Sequence, residues 1–258
     1  MTAIAVDDHG SVRQLTLNRP DAGNAIDMAL AEQFAAVAEQ AAADPSVRCV
    51  VVTGSGRMFC VGGDIGLFAA GDPAEVLRDL ATAFHRGLMA LATMAKPLVV
   101  LVNGPAAGAG LSLLLHGDIV LAARSAHFTA AYTAIGLSPD GGMTWTLPRL
   151  VGTRLAQEMI LTNRRLTADE AASAGMITRV VDDDKLQSAG LELAAKLAAG
   201  PVAAFGASRA LLRLSSTTTL ENQLAAEATS ISNAGAGAEC AEGLAAFLQK
   251  RRPVFTTD

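Results

Sequence analysis

The chain has 258 residues, with 20 Lys and Arg against 25 Asp and Glu, a net charge of −5 and a pI near 5.4. Hydrophobic residues make up 51% and charged ones 17%, enough for one large core and too apolar for a disordered chain. No basic run extends beyond Lys250-Arg251-Arg252, which argues against a nucleic-acid partner, because phosphate contacts dominate such binding.

Thr2–Val6 and Val12–Leu17 read as two strands joined by the turn Asp7-Asp8-His9-Gly10. Asp27 opens an Ala-rich helix to about Ala43, with Leu30, Phe34, Val37 and Ala41 at helical spacing. Arg48–Val52 is a buried strand. Pro73 to about Met94 is a long helix with the apolar stripe Leu77, Leu80, Phe84, Leu88, Leu91. Pro97–Val102 and Asp118–Ala122 are further apolar strands, and Leu111–Leu115 is a short helix between them. Strands alternating with helices indicate a parallel sheet covered on its faces, an α/β fold. From about Trp145 the chain turns mostly helical. Thr167 with Glu170 forms a capping box, Met176–Val181 is a lone short strand, and helices follow at about 183–198, 201–214, 218–233 and 237–249. Cys49, Cys60 and Cys240, an odd number without CxxC spacing, argue against a disulfide framework or a metal site. The N-terminus lacks a basic or long apolar region, and Asn103, His116 and Asp118 break the apolar runs. These runs are short of the roughly 20 residues a membrane span needs. The expectation is a cytoplasmic protein with no membrane partner.

Two loops carry the functional signal. Phe59-Cys60-Val61-Gly62-Gly63-Asp64-Ile65 follows one strand, and adjacent glycines let a backbone N–H point outwards unobstructed. Asn103-Gly104-Pro105-Ala106-Ala107-Gly108-Ala109-Gly110 follows another and opens a helix, whose first N–H groups are unpaired and suited to an anion. Close helix–strand packing would need the same small residues in the second loop. Open α/β sheets bind ligands at such strand ends.

With Asn18-Arg19-Pro20, Asn24-Ala25, Ile135-Gly136-Leu137 through Leu147-Pro148-Arg149, and Leu161-Thr162 through Met176-Ile177, these loops make the chain resemble the enoyl-CoA hydratase/isomerase, or crotonase, family. The likeness runs through the whole chain in order and is greatest to ring-1,2-epoxyphenylacetyl-CoA isomerases. It implies a crotonase-like ββα superhelix core over 1–195 and a C-terminal helical trimerisation region over 196–258. It also implies a homotrimer or dimer of trimers, and a CoA thioester as substrate with no cofactor required. The activity implied is that of fatty acid or aromatic acid (phenylacetate) metabolism.

By position, the resemblance makes the backbone N–H groups of Gly63 and Ala109 the donors of an oxyanion hole. It assigns Cys60, Val61, Gly62, Asp64 and Ile65 to the CoA site. Lys250, Arg251 or Arg252, from the same or a neighbouring subunit, would meet the CoA phosphates. The two glutamates of the family's hydratases fall on Ser112 and Tyr132, neither of which is a carboxylate. That moves the chemistry to Asp140 in Ser138-Pro139-Asp140-Gly141-Gly142. Asp140 reads either as an N-cap for the helix from about Met143 or as a base aimed at the acyl group, its pKa raised by burial. A single carboxylate can move a proton between two carbons while the hole holds a dienolate, which favours an isomerase. His85 matches the general base of the family's dehalogenases, or is a helix histidine with no part in the reaction. Hydration with non-standard residues, dehalogenation or thioester hydrolysis, and an inactive CoA- or RNA-binding member are the alternatives. The expected pocket wall is Phe68, Leu80, Phe84, Leu88, Tyr132 and Trp145. Tyr132 reads there as wall rather than catalyst, and His116 and His127 read as structural. Asp64 would cap the next turn or fix its loop.

Overall fold

The structure is a computed structural model describing residues 2–69 and 72–255. It opens on a hairpin of β1 (Ile4–His9) and β2 (Val12–Leu17), antiparallel with Asp8 opposite Arg13. The first strand therefore runs three residues past the expected Val6, and His9 ends a strand instead of sitting in a turn. The cause is the cross-strand ion pair of Asp8 with Arg13 at 2.8 Å, which draws a polar segment into the ladder. Gly10, at φ 64, supplies the positive φ that a two-residue hairpin loop requires.

Helix α1 (Met28–Ala43) follows, its Asp27 cap accepting from Leu30 N at 2.8 Å. Next come β3 (Cys49–Gly54), α2 (Ile65–Ala69), α3 (Pro73–Thr93) and β4 (Leu98–Val102). The chain continues through β5 (Ala106–Ala107), α4 (Ala109–Leu114), β6 (Ile119–Ala123), β7 (His127–Thr129), α5 (Met143–Val151) and α6 (Thr153–Thr162). It then forms β8 (Leu166–Thr167), α7 (Ala168–Ser173) with the expected Thr167–Glu170 capping box, and β9 (Arg179–Val181). Four helices end it: α8 (Leu186–Ala198), α9 (Val202–Ser215), α10 (Leu220–Gly235) and α11 (Ala238–Leu248).

The main sheet has the order β1-β2-β3-β4-β6-β9, parallel from β2 onward. The strand expected alone near 176–181 is thus an edge of this sheet, paired with β6. A second sheet, β5-β7-β8, was not expected, and it contains His127. Strands of two or three residues carry no alternation to read, so only their partners reveal them. β3 and β4 are buried on both faces, as befits central parallel strands.

Small residues bring the layers close. The Phe34 ring of α1 lies over Gly87 of α3 and meets Phe84 with centroids 5.1 Å apart. Leu101 of β4 fits beneath Gly190 of α8, where a Cβ would come within 2.4 Å. No helix among the described residues is long and apolar enough to cross a membrane. The terminal helices leave Leu212, Leu220, Ile231, Leu244, Phe247 and Leu248 exposed.

Asn24 sets the path of the loop after β3. It is fully buried at φ 57 and donates to the carbonyls of Ser55 (2.9 Å), Met58 (2.8 Å) and Phe59 (3.1 Å). Its carbonyl accepts from Arg19 N at 2.9 Å. Asn103 adds a second tie, accepting from Gly54 N at 3.1 Å and donating to Gly56 O at 3.0 Å. Asn24→Ala would strand those carbonyls in the interior and place alanine in a left-handed conformation. We expect a loss of about 3 kcal/mol, or a Tm lower by roughly 6–12 °C, read by denaturant and thermal unfolding. A change below about 1 kcal/mol would contradict this role.

Candidate active site

β3 and β4 are parallel neighbours, so the loops leaving their C-terminal ends emerge side by side. A bridge between Cys60 and Ala106 zips the loops together, with Ala107 N donating to Cys60 O at 2.9 Å. They then meet glycine to glycine. A Cβ on Gly62 (φ 102) would lie 3.2 Å from Ala107 O, 3.4 Å from Gly108 Cα and 3.5 Å from Ala109 N. Gly108 (φ 53) faces Gly62 Cα in return, at 3.4 Å. Behind them, a Cβ on Gly110 would meet Cys60 O at 2.4 Å. Only residues without side chains pass here.

This contact sets Gly63 and Ala109 on one cavity. Neither backbone N–H donates to any group among the described residues. The Ala109 N–H is free because it opens α4, where no intrahelical acceptor exists. The cavity holds about 330 Å³. Leu77, Leu80, Ala81 and Phe84 of α3 form one wall; Tyr132, Ile135, Leu137 and Asp140 face it. Val61, Gly62 and Ile65 also line it, whereas Cys60 and Asp64 do not. Burial pushes the Cys60 thiol up to about 12. The Asp64 carboxylate is engaged by Arg19 at 3.2 Å and accepts from Gly66 N, fixing the loop.

Asp140 is the one acid lining this cavity among the described residues. Its side chain caps no helix: the residue before α5 is Gly142, without a side-chain bond. The N-cap reading fails because Gly141 and Gly142, both at positive φ (62 and 80), turn the chain between Asp140 and the helix. Asp140 Oδ1 instead accepts from Tyr132 OH at 2.5 Å, and Oδ2 lies 3.2 Å from His85 Nε2. Burial pushes the carboxyl up, but the contacts with His85 and Tyr132 pull it down further, so it sits below its ordinary value. The expected upward shift is thereby reversed, and the group is an ionised carboxylate near neutral pH. Burial and the adjacent Asp140 charge push the Tyr132 phenol up, so it remains a donor.

The segment around Asp140 is pinned by its backbone. Gly141 N donates to His85 Nε2 at 2.9 Å, and His116 Nε2 donates to Gly141 O at 2.9 Å. Ser112, buried on α4, donates to Asp140 O at 2.9 Å. One ring nitrogen of His85 cannot accept from Gly141 and donate to Asp140 at once, so the tautomer decides which it serves. His116, read as structural, thus holds the segment that carries Asp140; burial keeps it below its ordinary pKa and neutral.

Other expected residues lie elsewhere. Leu88 and Trp145 do not line the cavity; Trp145 is on the surface under Arg149, 4.1 Å from its ring centroid. The side chain of Phe68 lies outside the described residues. Arg251 pairs with Glu242 at 2.6 Å, and Lys250, like Arg251, does not line the cavity. As cavity residues, sequence reasoning missed Ile26, Leu77, Arg78, Ala81, Ala131, Ile135 and Leu137. Ala81 and Leu77 share the helical spacing of Leu80 and Phe84, which could have found Ala81. Nothing local marks Ile26 or Ala131.

A crotonase fold with paired free N–H groups over an apolar cavity defines an enzyme that handles acyl-CoA thioesters. The chain belongs to the enoyl-CoA hydratase/isomerase family, whose model matches residues 7–258. It is 41% identical to the 1,2-epoxyphenylacetyl-CoA isomerase of Escherichia coli K12 over 249 residues, 95% of each chain. It is 37% identical to the 2,3-dehydroadipyl-CoA hydratase of the same organism over 99% of each. The crystal structure of an enoyl-CoA hydratase from Polaromonas sp. JS666 superposes with a TM-score of 0.93 at 33% identity, over 97% of this chain and 98% of that one.

Gly62→Ala would wedge a methyl group between the loops in a conformation alanine disfavours. We expect kcat/KM for an acyl-CoA substrate to fall about 100-fold while the far-UV circular dichroism stays that of the parent. Undiminished turnover would show that the loop contact is dispensable.

Proposed function

We propose that the protein is an enoyl-CoA double-bond isomerase in which Asp140 shuttles one proton. The observation that carries this reading is the single carboxylate in the cavity, with Ser112 and Tyr132 where a hydratase of the family has glutamates. Activation of water by two carboxylates has no counterpart among the lining residues. One carboxylate suffices for an isomerase: it removes the proton from C2 of a 3-enoyl thioester and returns it to C4, giving the 2-enoyl product.

Asp140 is ionised but weakly basic, so the dienolate must be stabilised elsewhere. The N–H groups of Gly63 and Ala109 suit this; one such donor typically contributes about 2.7–4 kcal/mol in a transition state. The acyl group sits among Leu77, Leu80, Phe84 and Ile135, which accept an unsaturated chain or ring. The relative named for 1,2-epoxyphenylacetyl-CoA supports a ring-bearing substrate and a place in aromatic acid degradation. The reading has no cofactor, a cytoplasmic setting, and an assembly of three or six copies through the exposed apolar faces of the terminal helices.

A second reading has a specific support. His85 lies 3.2 Å from Asp140, the pairing that a nucleophilic carboxylate with a neighbouring base would use in acyl-CoA dehalogenation or hydrolysis. Halide release from an aromatic halo-acyl-CoA separates the two.

Asp140→Asn should abolish isomerisation of 3-enoyl-CoA thioesters, by at least about 10³-fold, and leave acyl-CoA affinity within a few-fold by calorimetry. An active Asp140→Asn variant would sink the assignment. Activity needs the ionised form, so kcat/KM falls as pH drops through the Asp140 pKa. Because that pKa is lowered, the acid limb lies below the ordinary carboxylate value of about 4, and the rate stays level from there to neutrality.

A further inference from the structure

Tyr132 stands where the family's hydratases carry a carboxylate, yet it is not merely wall. Its hydroxyl meets two groups: Asp140 Oδ1 at 2.5 Å and Ser112 Oγ at 3.1 Å. Ser112 has one proton, and it is directed at Asp140 O, 2.9 Å away. The Ser112 lone pairs are therefore open to the phenol. The phenol in turn has one proton and two acceptors, the carboxylate and the serine oxygen. It donates to the carboxylate whenever that group is ionised, since a charged acceptor forms the stronger bond. When Asp140 carries the shuttled proton on Oδ1, that O–H donates to the phenol oxygen and the phenol hydroxyl turns to Ser112 Oγ, so the contact at Oδ1 is kept with its direction reversed.

We propose that Tyr132 is a positioning residue for Asp140: anchored by Ser112, its hydroxyl holds Oδ1 and turns between carboxylate and serine as Asp140 loses and gains the proton. This rests on Asp140 being the shuttle, but the hydrogen-bond claim can be tested without it. Three further groups bear on the same carboxyl. His85 reaches Oδ2 from α3, His116 holds the next peptide from the end of α4, and Arg78 lines the same cavity. All three remain in place in a Tyr132→Phe variant, so a change in Asp140 titration reports the phenol. The downward pull of Tyr132 on the Asp140 carboxyl agrees in direction.

Tyr132 is the only tyrosine in the chain. Biosynthetic labelling with 3-fluorotyrosine therefore places one fluorine beside Asp140 and nowhere else. Its ¹⁹F resonance should follow the ionisation of Asp140 as pH is lowered, and Asp140→Asn should remove that dependence. In Tyr132→Phe, the Asp140 carboxyl ¹³C midpoint should rise by about one pH unit. The acid limb of kcat/KM should rise with it, while KM stays within about two-fold. A wall residue would change KM and leave both midpoints where they were. An unmoved ¹³C midpoint in Tyr132→Phe, or a ¹⁹F resonance indifferent to Asp140→Asn, overturns the proposal. If Tyr132→Phe does not fold, the fluorine titration in the otherwise native chain decides alone. Isomerisation by Asp140→Asn would instead overturn the shuttle, whatever the ¹⁹F and ¹³C titrations read.

Discussion

The contact of Gly62 with Gly108 is the constraint on which the site is built. The two loops can lie this close only because the residues that meet carry no side chains. At 3.4 Å between one Cα and the position of the other's missing Cβ, no side chain fits. The parallel pairing of β3 and β4 brings the loops to the same edge, and the Cys60–Ala106 bridge fixes their register. Asn24 and Asn103 then fasten the first loop from behind by binding carbonyls that would otherwise be unpaired in the interior. The two N–H groups are thereby held in place by the fold itself, the condition under which donors in the proposed role act most strongly.

The Asp140 carboxylate is arranged on a different principle. Asp140 follows a proline and precedes two glycines, so its own stretch of chain is irregular. Its position comes from side chains on other elements: His85 from α3, Ser112 from α4, His116 just beyond it, and Tyr132 from the preceding turn. Two histidines meet Gly141, His85 at its N–H and His116 at its carbonyl. Hydrogen bonds then outweigh burial in setting the charge of the carboxyl. Such a carboxylate is ionised at neutral pH but weakly basic. In the proposed reaction the labour divides accordingly: the carboxylate moves the proton and the backbone donors stabilise the anion.

One wall of the cavity is set by helix geometry. α3 presents Leu77, Leu80, Ala81 and Phe84 inward, while Gly87, a turn beyond, lets Phe34 of α1 press against the same helix. One face of α3 thus lines the cavity and the adjoining face joins the core. His85, next to Phe84, comes to Asp140 by that same turn of helix.

The sequence by itself determined the family, the alternation of strands and helices, the two glycine loops, the Asp27 and Thr167 caps, and the absence of the hydratase glutamates. These are legible because glycine, proline, capping residues and apolar periodicity act over a few residues of chain. It missed the second sheet, placed β9 without a partner, ended β1 too early, and expected burial to raise the Asp140 carboxyl. Each of those depends on groups far apart in the chain: β7 on β5 and β8, β9 on β6, Asp140 on His85, 55 residues away. Only the tertiary structure decided what surrounds Asp140, and so whether it would be neutral by burial or ionised by its hydrogen bonds. A pKa is set by the neighbours a side chain acquires in three dimensions, and periodicity along the chain holds no record of them.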